Sequence, residues 1–338
     1  MTTPPRPTIS VCIANYNGGG LVLECLASVY AQSVDAEVEV LVHDDASTDD
    51  SLQRIVDAFP SARVIPAVAN VGFCISNNRM ADAASGQYLL LLNNDAVLRS
   101  GSLAALMTFA RSRPDSILGL PQHAMADGSL VDVGYCTDPF LNPIPLTSAG
   151  PHEVGVATGA CLWIPRTVWK ATGGFPPFFE SVAEDIYLCL AARCLGFQVF
   201  VLGEPGFDHV IGQHLGGGKV VAGALRTSAR RRRLSERNKT YAMLICYPAW
   251  LLCLLMPLHA LLLASEVLLL LMSGTAMRTV KHIYTGLPGS LWQRRHDLKA
   301  LRLRLAKGNQ NAVGMFRFTY WWPQKLAMLL RHGRPHIT

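Results

Sequence analysis

The chain is predicted to be an α/β protein, a Rossmann-like and mostly parallel sheet flanked by helices, with a helical region of different character at its C-terminal end. Three observations predict this. Residues 88–97 read YLLLLNNDAV, a short apolar run that stops abruptly at polar residues, as a strand buried on both faces of a parallel sheet does. From residue 8 to residue 120, strand-like and helix-like patterns alternate, the order of a parallel sheet with helices on both faces. After residue 225 the composition changes to a basic run, a long apolar stretch and a second basic segment.

Thr8 to Ala14 is β-branched and alternating and gives strand one, and Asn15-Tyr16-Asn17-Gly18-Gly19-Gly20 is a turn cluster. Val22, Leu23, Leu26, Val29 and Tyr30 lie at helical spacing, so 21–32 is a helix. Val38 to Val42 is strand two, ending at His43-Asp44-Asp45. Ser47 to Asp50 supplies capping residues for a helix to about Phe59, and Arg63 to Ile65 is a short strand. The loop Asn70-Val71-Gly72-Phe73 leads into a helix to Ala84, and Ser85-Gly86 breaks it before the strand at Tyr88. A helix over 102–111 and a strand over 117–120 follow. The Pro-, Gly- and Asp-rich stretch 121–151 reads as one long loop over the sheet, a length that is often functional. Patterning returns at 154–160 and 166–172, a helix opens at Glu184-Asp185 and runs to Leu195, and 197–202 is a strand.

Composition narrows the function. No Gly-x-Gly-x-x-Gly follows the first strand, which argues against a dinucleotide-binding dehydrogenase. The nine cysteines have no Cys-x-x-Cys spacing, and most sit in apolar runs (Cys12, Cys161, Cys189, Cys246, Cys253). That favours buried free thiols in a reducing compartment over disulfides or zinc. The opening MTTPPRPTIS lacks the apolar core of a signal peptide, so the first 225 residues are expected in the cytoplasm.

Ligands of open α/β sheets bind beyond the carboxyl ends of the strands. Asn93-Asn94-Asp95 stands at such an end and offers the hard anion that a divalent cation holding a diphosphate needs. An ordinary turn or helix cap is the alternative. Asp44-Asp45 closes strand two in the same way, with a cap by Asp45 or Ser47 as its alternative. The tail Gly216-Gly217-Gly218-Lys219 lacks P-loop spacing but suits a lid that closes on a diphosphate, with Lys219 a phosphate contact.

In the last third, seven of the fourteen residues from Arg226 to Lys239 are Lys or Arg. Residues 241–272 carry one charged side chain, Glu266, and one titratable one, His259. The stretch is long enough to cross a bilayer, but Pro248 and Pro257 interrupt it and basic residues flank both sides, which disfavours a clean crossing. A broken hairpin or an interfacial pair of helices, both ends cytoplasmic, is expected; one crossing helix or a buried soluble hairpin are the alternatives. Leu298, Leu301, Leu303 and Leu305 alternate with Lys299, Arg302 and Arg304 in what reads as a basic interfacial helix. Beside such a segment, Arg230 to Arg233 points to anionic lipid headgroups rather than nucleic acid.

Eight blocks in order, SVCIANYNGG (10–19), VHDDASTDDS (42–51), NVGFCISNN (70–78), GQYLLLLNNDA (86–96), TGACLWIPR (158–166), GGFPPFFE (173–180), EDIYLCLAARCLGF (184–197) and HVIGQH (209–214), resemble the family 2 inverting nucleotide-sugar glycosyltransferases. The likeness runs from Ile9 to Gly218, and the Asn-x-Gly-Phe and Leu-Asn-Asn-Asp blocks look like the rhamnosyltransferase-type branch of bacterial polysaccharide biosynthesis. The resemblance implies a GT-A fold over 1–225, with 226–338 as a membrane-associated helical region. It implies that Asp44 and Asp45 receive the base and ribose of a nucleotide, that Asn15 and Tyr16 pack the base, and that Asn70 and Asn94 contribute to donor binding. It implies Asp95 as the ligand of Mg²⁺ or Mn²⁺, with His209 beside the metal and diphosphate and His214 a weaker candidate. The family's usual Asp-x-Asp is here Asn93-Asn94-Asp95, so weak metal affinity without nucleotide is expected. The family's Glu-Asp-x-Asp is here Glu184-Asp185-Ile186-Tyr187, and Asp185 matches the catalytic base, with Glu184 the alternative.

The expected function is transfer of a sugar, with inversion and metal assistance, from a UDP- or dTDP-sugar to a hydroxyl of a lipid-linked or growing glycan at the cytoplasmic face of the plasma membrane. A nucleotidyltransferase, and a membrane scaffold with a decayed transferase domain, are the alternatives.

Overall fold

The computed structural model describes residues 9–148, 150, 152–210, 217–221, 224–272, 274–306, 316–333 and 336–337. The chain forms two compact units, one of residues 1–135, 145–192 and 197–210, the other of 136–144, 193–196 and 211–338.

The first unit is built on β1 (Ile9–Asn15), α1 (Leu21–Tyr30), β2 (Val38–Asp44), α2 (Ser51–Ala58), β3 (Arg63–Pro66), α3 (Phe73–Ala83), β4 (Tyr88–Asn93), β5 (Ala96–Leu98), α4 (Ser102–Ser112) and β6 (Ile117–Gly119). Apart from β5, which was not expected as a separate strand, these follow the expected order within one to four residues at each end. The stretch expected as one long loop contains short strands instead: β7 (Gln122–Ala124), β8 (Leu130–Asp132), β9 (Tyr135–Thr137) and β10 (Pro143–Pro145). Strands of three residues are too short to show a period in sequence. There follow β11 (His152–Glu153), β12 (Cys161–Pro165), α5 (Arg166–Thr172), α6 (Glu184–Cys194), β13 (Val199–Val201) and β14 (Phe207–His209).

The main sheet has the order β11-β13-β6-β12-β4-β1-β2-β3. It is mixed but mostly parallel, as expected: β3, β2, β1, β4, β6 and β13 run one way, and only β12 and β11 run the other. Leu89 to Leu92 of β4 are at most 2 % exposed because β4 is covered on both faces and paired on both edges. Burying each such leucine contributes roughly 1.5–3 kcal/mol. The core around them includes Val11, Ile13, Leu26, Val42, Leu103, Leu106, Trp163 and Phe207. The parallel register sets Asn15 beside Asp44, and Ala14 beside Asn93. A second sheet, β5-β14-β7-β8, starts where β4 ends. It pairs His209 with Ala96, so β14 is drawn back to the end of β4.

The second unit carries β15 (Gly217–Val221), β16 (Ala224–Thr227), α7 (Ala229–Cys246), α8 (Ala249–Met272), α9 (Met277–Tyr284), α10 (Gly286–Ala306), α11 (Gln324–His332) and β17 (His336–Ile337). Pro248 separates α7 from α8, as expected, but Pro257 lies inside α8, so Ala249–Met272 is one continuous helix and the interruption expected at Pro257 is absent. A proline there removes the donor that would have met the carbonyl of Cys253. Both Cys253 and Pro257 are exposed, which keeps that loss at the surface. Cys253 is thus not the buried thiol expected; the other eight cysteines are buried. α8 is long and apolar enough to cross a membrane.

Ion pairs hold this unit together. Glu236 of α7, 2 % exposed, accepts from Lys239 at 3.1 Å and from Lys325 of α11 at 2.8 Å. Lys325 also donates to Glu266 of α8 at 2.9 Å, and Arg232 pairs with Glu266. Lys239 donates to Asn142 Oδ1 at 2.6 Å. Burial opposes the charge on Glu236, yet Lys239, Lys325 and Arg232 together hold it well below the usual carboxylate range. Burial brings both Lys239 and Lys325 down to about 8.

Candidate active site

The carboxyl ends of β1, β2 and β4 bring Asn15, Asp44, Asn94 and Asp95 together. Asn15 Nδ2 donates to Asp44 Oδ1 at 2.9 Å and to Ser51 Oγ at 3.0 Å, while Asn94 Nδ2 donates to Asn15 Oδ1 at 3.2 Å. Gly18 is required at this crossing. A Cβ there would stand 2.3 Å from Asn15 Oδ1 and 2.8 Å from Asn94 Nδ2.

Neither Asp45 nor Ser47 caps α2. The helix opens at Ser51, whose N–H donates to Asp49 Oδ1 at 3.2 Å. Asp44 instead accepts from Ser47 N and Ser47 Oγ at 3.1 and 2.7 Å. Asp45 accepts from the N–H groups of Val71 and Gly72 at 2.7 and 2.8 Å, which ties the 70–73 loop to the end of β2. Asn70 and Tyr16 are exposed on these loops. Behind them His43 is fully buried. Burial lowers its pKa, so it stays neutral, and its Nε2 lies 3.3 Å from Arg79 Nη1.

Asp95 Oδ1 lies 3.0 Å from His209 Nε2. Both side chains are largely buried, and the pairing of β14 with β5 sets this approach. Asn93 Nδ2 reaches the same ring nitrogen at 3.4 Å, and His209 Nδ1 is buried with no partner among the described residues. The Asp95 and His209 side chains are hydrogen-bonded to each other at 3.0 Å, which is also about the 3 Å separation of adjacent octahedral ligands with bonds of about 2.1 Å, so a cation would replace that bond. Among the described residues no cluster of three His, Cys, Asp or Glu side chains is spaced for a metal. A cation here would therefore take most of its shell from donor oxygens and water.

Glu184 and Asp185 open α6, where carboxylates are favoured by the helix dipole. Glu184 is 7 % exposed and Asp185 more accessible, which favours Asp185 for meeting a substrate. Asp185 Oδ2 accepts from Gly159 N at 3.1 Å and Oδ1 from Ile186 N at 2.8 Å. A Cβ on Gly159 would press on Asp185 Cβ at 3.3 Å. The chain enters α6 through Glu180, Val182 and Ala183, with φ of 62°, 70° and 65°. Each such residue costs of order 1–3 kcal/mol, and strain of this kind gathers at functional sites.

Sequence reading missed two groups here. Gly159 was visible only as part of the Thr158-Gly159-Ala160 block. Asp132 lay within the stretch expected as loop. It is fully buried at the end of β8, accepting from Tyr135 Oη at 2.7 Å and Gly134 N at 3.0 Å. Burial, reinforced by the charge of Asp185, pushes its carboxyl up to about 6. His214 lies outside the described residues, as does the side chain of Lys219.

Residues 10–170 match Glycosyl transferase family 2. The chain is 28 % identical over 211 residues to an N-acetylglucosaminyl-diphospho-decaprenol L-rhamnosyltransferase of Mycobacterium tuberculosis, covering 53 % of this chain and 68 % of that one. It is 25 % identical over 222 residues to the O-antigen biosynthesis protein RfbC of Myxococcus xanthus, covering 60 % of this chain and 17 % of the relative. Among solved structures, GalNAc-T7 with UDP, GalNAc and Mn²⁺ superposes with a TM-score of 0.57 at 14 % identity, over 72 % of this chain and 48 % of that one. S. aureus TarS 1–349 superposes with a TM-score of 0.51 at 14 % identity, over 92 % of this chain and 91 % of that one. The α/β fold is thus of the GT-A kind, with a mixed sheet flanked by helices.

Proposed function

We infer, for a chain that carries a glycosyl transferase family 2 domain over residues 10–170, that this glycosyltransferase moves a deoxyhexose or hexose from a UDP- or dTDP-sugar to a hydroxyl of a lipid-linked or growing glycan, with inversion. The observation that carries this reading is the meeting of Asn15, Asp44, Asn94 and Asp95 at three adjacent strand ends with His209 at 3.0 Å from Asp95. The rhamnosyltransferase named among the relatives acts, by its name, on a diphospho-decaprenol-linked sugar, which supports a lipid-linked acceptor.

Asp44 and Asn15 hold the nucleoside, with Tyr16 and Asn70 packing against it and Asp45 fixing the 70–73 loop. Asp95 and His209 would hold Mg²⁺ or Mn²⁺, which would neutralise charge on the departing diphosphate. Asp185 takes the proton of the acceptor hydroxyl as its oxygen bonds to the anomeric carbon. The bond from that carbon to the diphosphate breaks on the opposite face, and the nucleoside diphosphate leaves. Gly159 N–H and the start of α6 fix the Asp185 carboxylate for this role. The enzyme works at the cytoplasmic face of the plasma membrane, with its second unit on the lipid.

Thermal-shift screening of UDP- and dTDP-sugars with and without Mn²⁺ tests the reading. A metal-dependent shift with one donor class is expected. Folded protein that shifts with none would leave the scaffold alternative standing.

A further inference from the structure

Helix α8 has two unlike faces. At about 100° per residue, Trp250, Leu254, Leu258, Leu261, Leu268 and Met272 fall within an arc of about 80°, and all are 45–68 % exposed. The exposed residues that widen the arc include one hydroxyl, Ser265, and no charge. An apolar face of this size on a soluble surface marks a site of contact.

The opposite face is tied to the protein. Leu251, Leu255, His259 and Leu270 are buried. Thr240 of α7 lies 2.9 Å from His259 Nε2, and Glu266 pairs with Arg232 of α7 and Lys325 of α11. Crossing a bilayer would strip these partners away or carry them into hydrocarbon. α7 holds seven charged residues between Arg230 and Lys239, and each charge at the bilayer centre costs at least about 2.5 kcal/mol.

The charge around α8 names what covers it. Residues 277–306, α9 and α10, hold seven Lys or Arg against one acid, Asp297. Arg278, Lys281, Arg295, Lys299 and Arg304 are exposed, and Asp297 is bonded to Arg294 at 3.2 Å. Trp292, Tyr320, Trp321 and Trp322 are each at least 57 % exposed, and aromatics of this kind settle at the headgroup level. A second copy of the chain would bring the same cations against themselves, whereas anionic lipid complements them.

We propose that α8 lies flat in the headgroup boundary of an anionic bilayer, its Trp250–Leu261 arc immersed and its His259–Glu266 face held on α7 and α11, so that the enzyme is monotopic and does not span. The proposal rests on the membrane association inferred above and specifies its geometry. The test uses the full chain labelled with an environment-sensitive fluorophore at Cys253, the exposed thiol. Vesicles of phosphatidylcholine with and without phosphatidylglycerol are compared, with spin labels placed shallow or deep in the acyl chains. Expected are binding that needs phosphatidylglycerol, stronger quenching by the shallow label, and release when salt is raised from about 0.1 to 1 M, which shortens the screening length from about 10 to 3 Å. Leu254→Ser with Leu261→Ser should weaken partition at least about tenfold, given the apolar area withdrawn, without changing donor-dependent thermal shift. Deep quenching with binding that survives high salt would overturn the flat geometry while leaving membrane association intact. No vesicle binding, with a dimer in sedimentation, would overturn both and leave the arc to a second copy.

Discussion

Residues 1–225 and 226–338 use opposite charge for opposite ends. The first stretch has 11 Lys and Arg against 21 Asp and Glu, a net of −10, and the second has 19 against 3, a net of +16; together they give the +6 of the whole chain. In the first, carboxylates gather at strand ends and a helix start and are held by backbone N–H groups, as Asp45 is by Val71 and Gly72 and Asp185 by Gly159. In the second, two of the three acids, Glu236 and Glu266, are internal counter-ions for Arg232, Lys239 and Lys325. Among the described residues Arg278, Lys281, Arg295, Lys299 and Arg304 face outward. On the proposed reading, Asp95 and Asp185 of the first part serve chemistry, whereas Glu236 and Glu266 of the second serve structure.

That contrast breaks most visibly at two carboxylates. Asp185→Asn is expected to lower transfer by about 10²–10⁴-fold, the scale of a lost general base, with donor binding and melting temperature nearly unchanged. Glu236→Ala should do the reverse, costing about 3–5 kcal/mol by leaving buried cations unpaired while surviving folded protein still binds donor. Urea denaturation and donor titration on both variants check this. If Asp185→Asn proves as unstable as Glu236→Ala, the distinction fails.

His209→Ala sharpens the picture within the first part. The Mn²⁺ needed for half-maximal activity should rise about 10- to 100-fold, read from metal titration at saturating donor, because the cation would lose one of the two protein ligands proposed for it. Titrating Mn²⁺ onto the unaltered enzyme should show tighter binding in the presence of nucleoside diphosphate, since donor oxygens complete the shell. Equal affinity with and without nucleotide would remove Asp95 and His209 from the metal role.

The smallest effect is expected at Asp132. Its folded carboxyl stands at about 6 against 3.8 for an ordinary aspartate, so the folded state holds its proton more tightly. Stability from this group is present at low pH and is lost as pH rises from about 4 to about 6, by at most roughly 3 kcal/mol. Asp132→Asn keeps one acceptor for Tyr135 or Gly134 and should flatten that dependence, with stability at pH 7 raised by about 1–2 kcal/mol. Denaturation across pH 4–8 measures it. An unchanged slope would mean that Asp132 is charged throughout.

The strand ends were legible in sequence because β1, β2 and β4 are short apolar runs that stop at polar residues, and a parallel sheet places such stops side by side. The direction of β12 was not. Cys161 to Pro165 is as apolar as β4, and nothing in a buried five-residue run tells whether it will pair parallel or antiparallel. Asp132 was hidden because its role comes from burial and from neighbours far along the chain. Pro257 misled in the other direction, since a proline usually ends a helix but here falls on the exposed side of α8. The 3.0 Å approach of His209 to Asp95 depends on the register of β14 against β5, over 114 residues of separation, and no local pattern carries it.

The tie between Glu236 and Lys325 spans 89 residues. At 5–20 residues per second of synthesis, Glu236 is made about 4–18 s before the cation that completes its set. For that interval the second unit lacks a fastening, and α8 is held by Arg232 and Thr240 without Lys325. On the flat geometry proposed above, the nascent helix would meet lipid before its back face is locked, so the order of translation would favour seating on the bilayer first and closure of the ion-paired layer second.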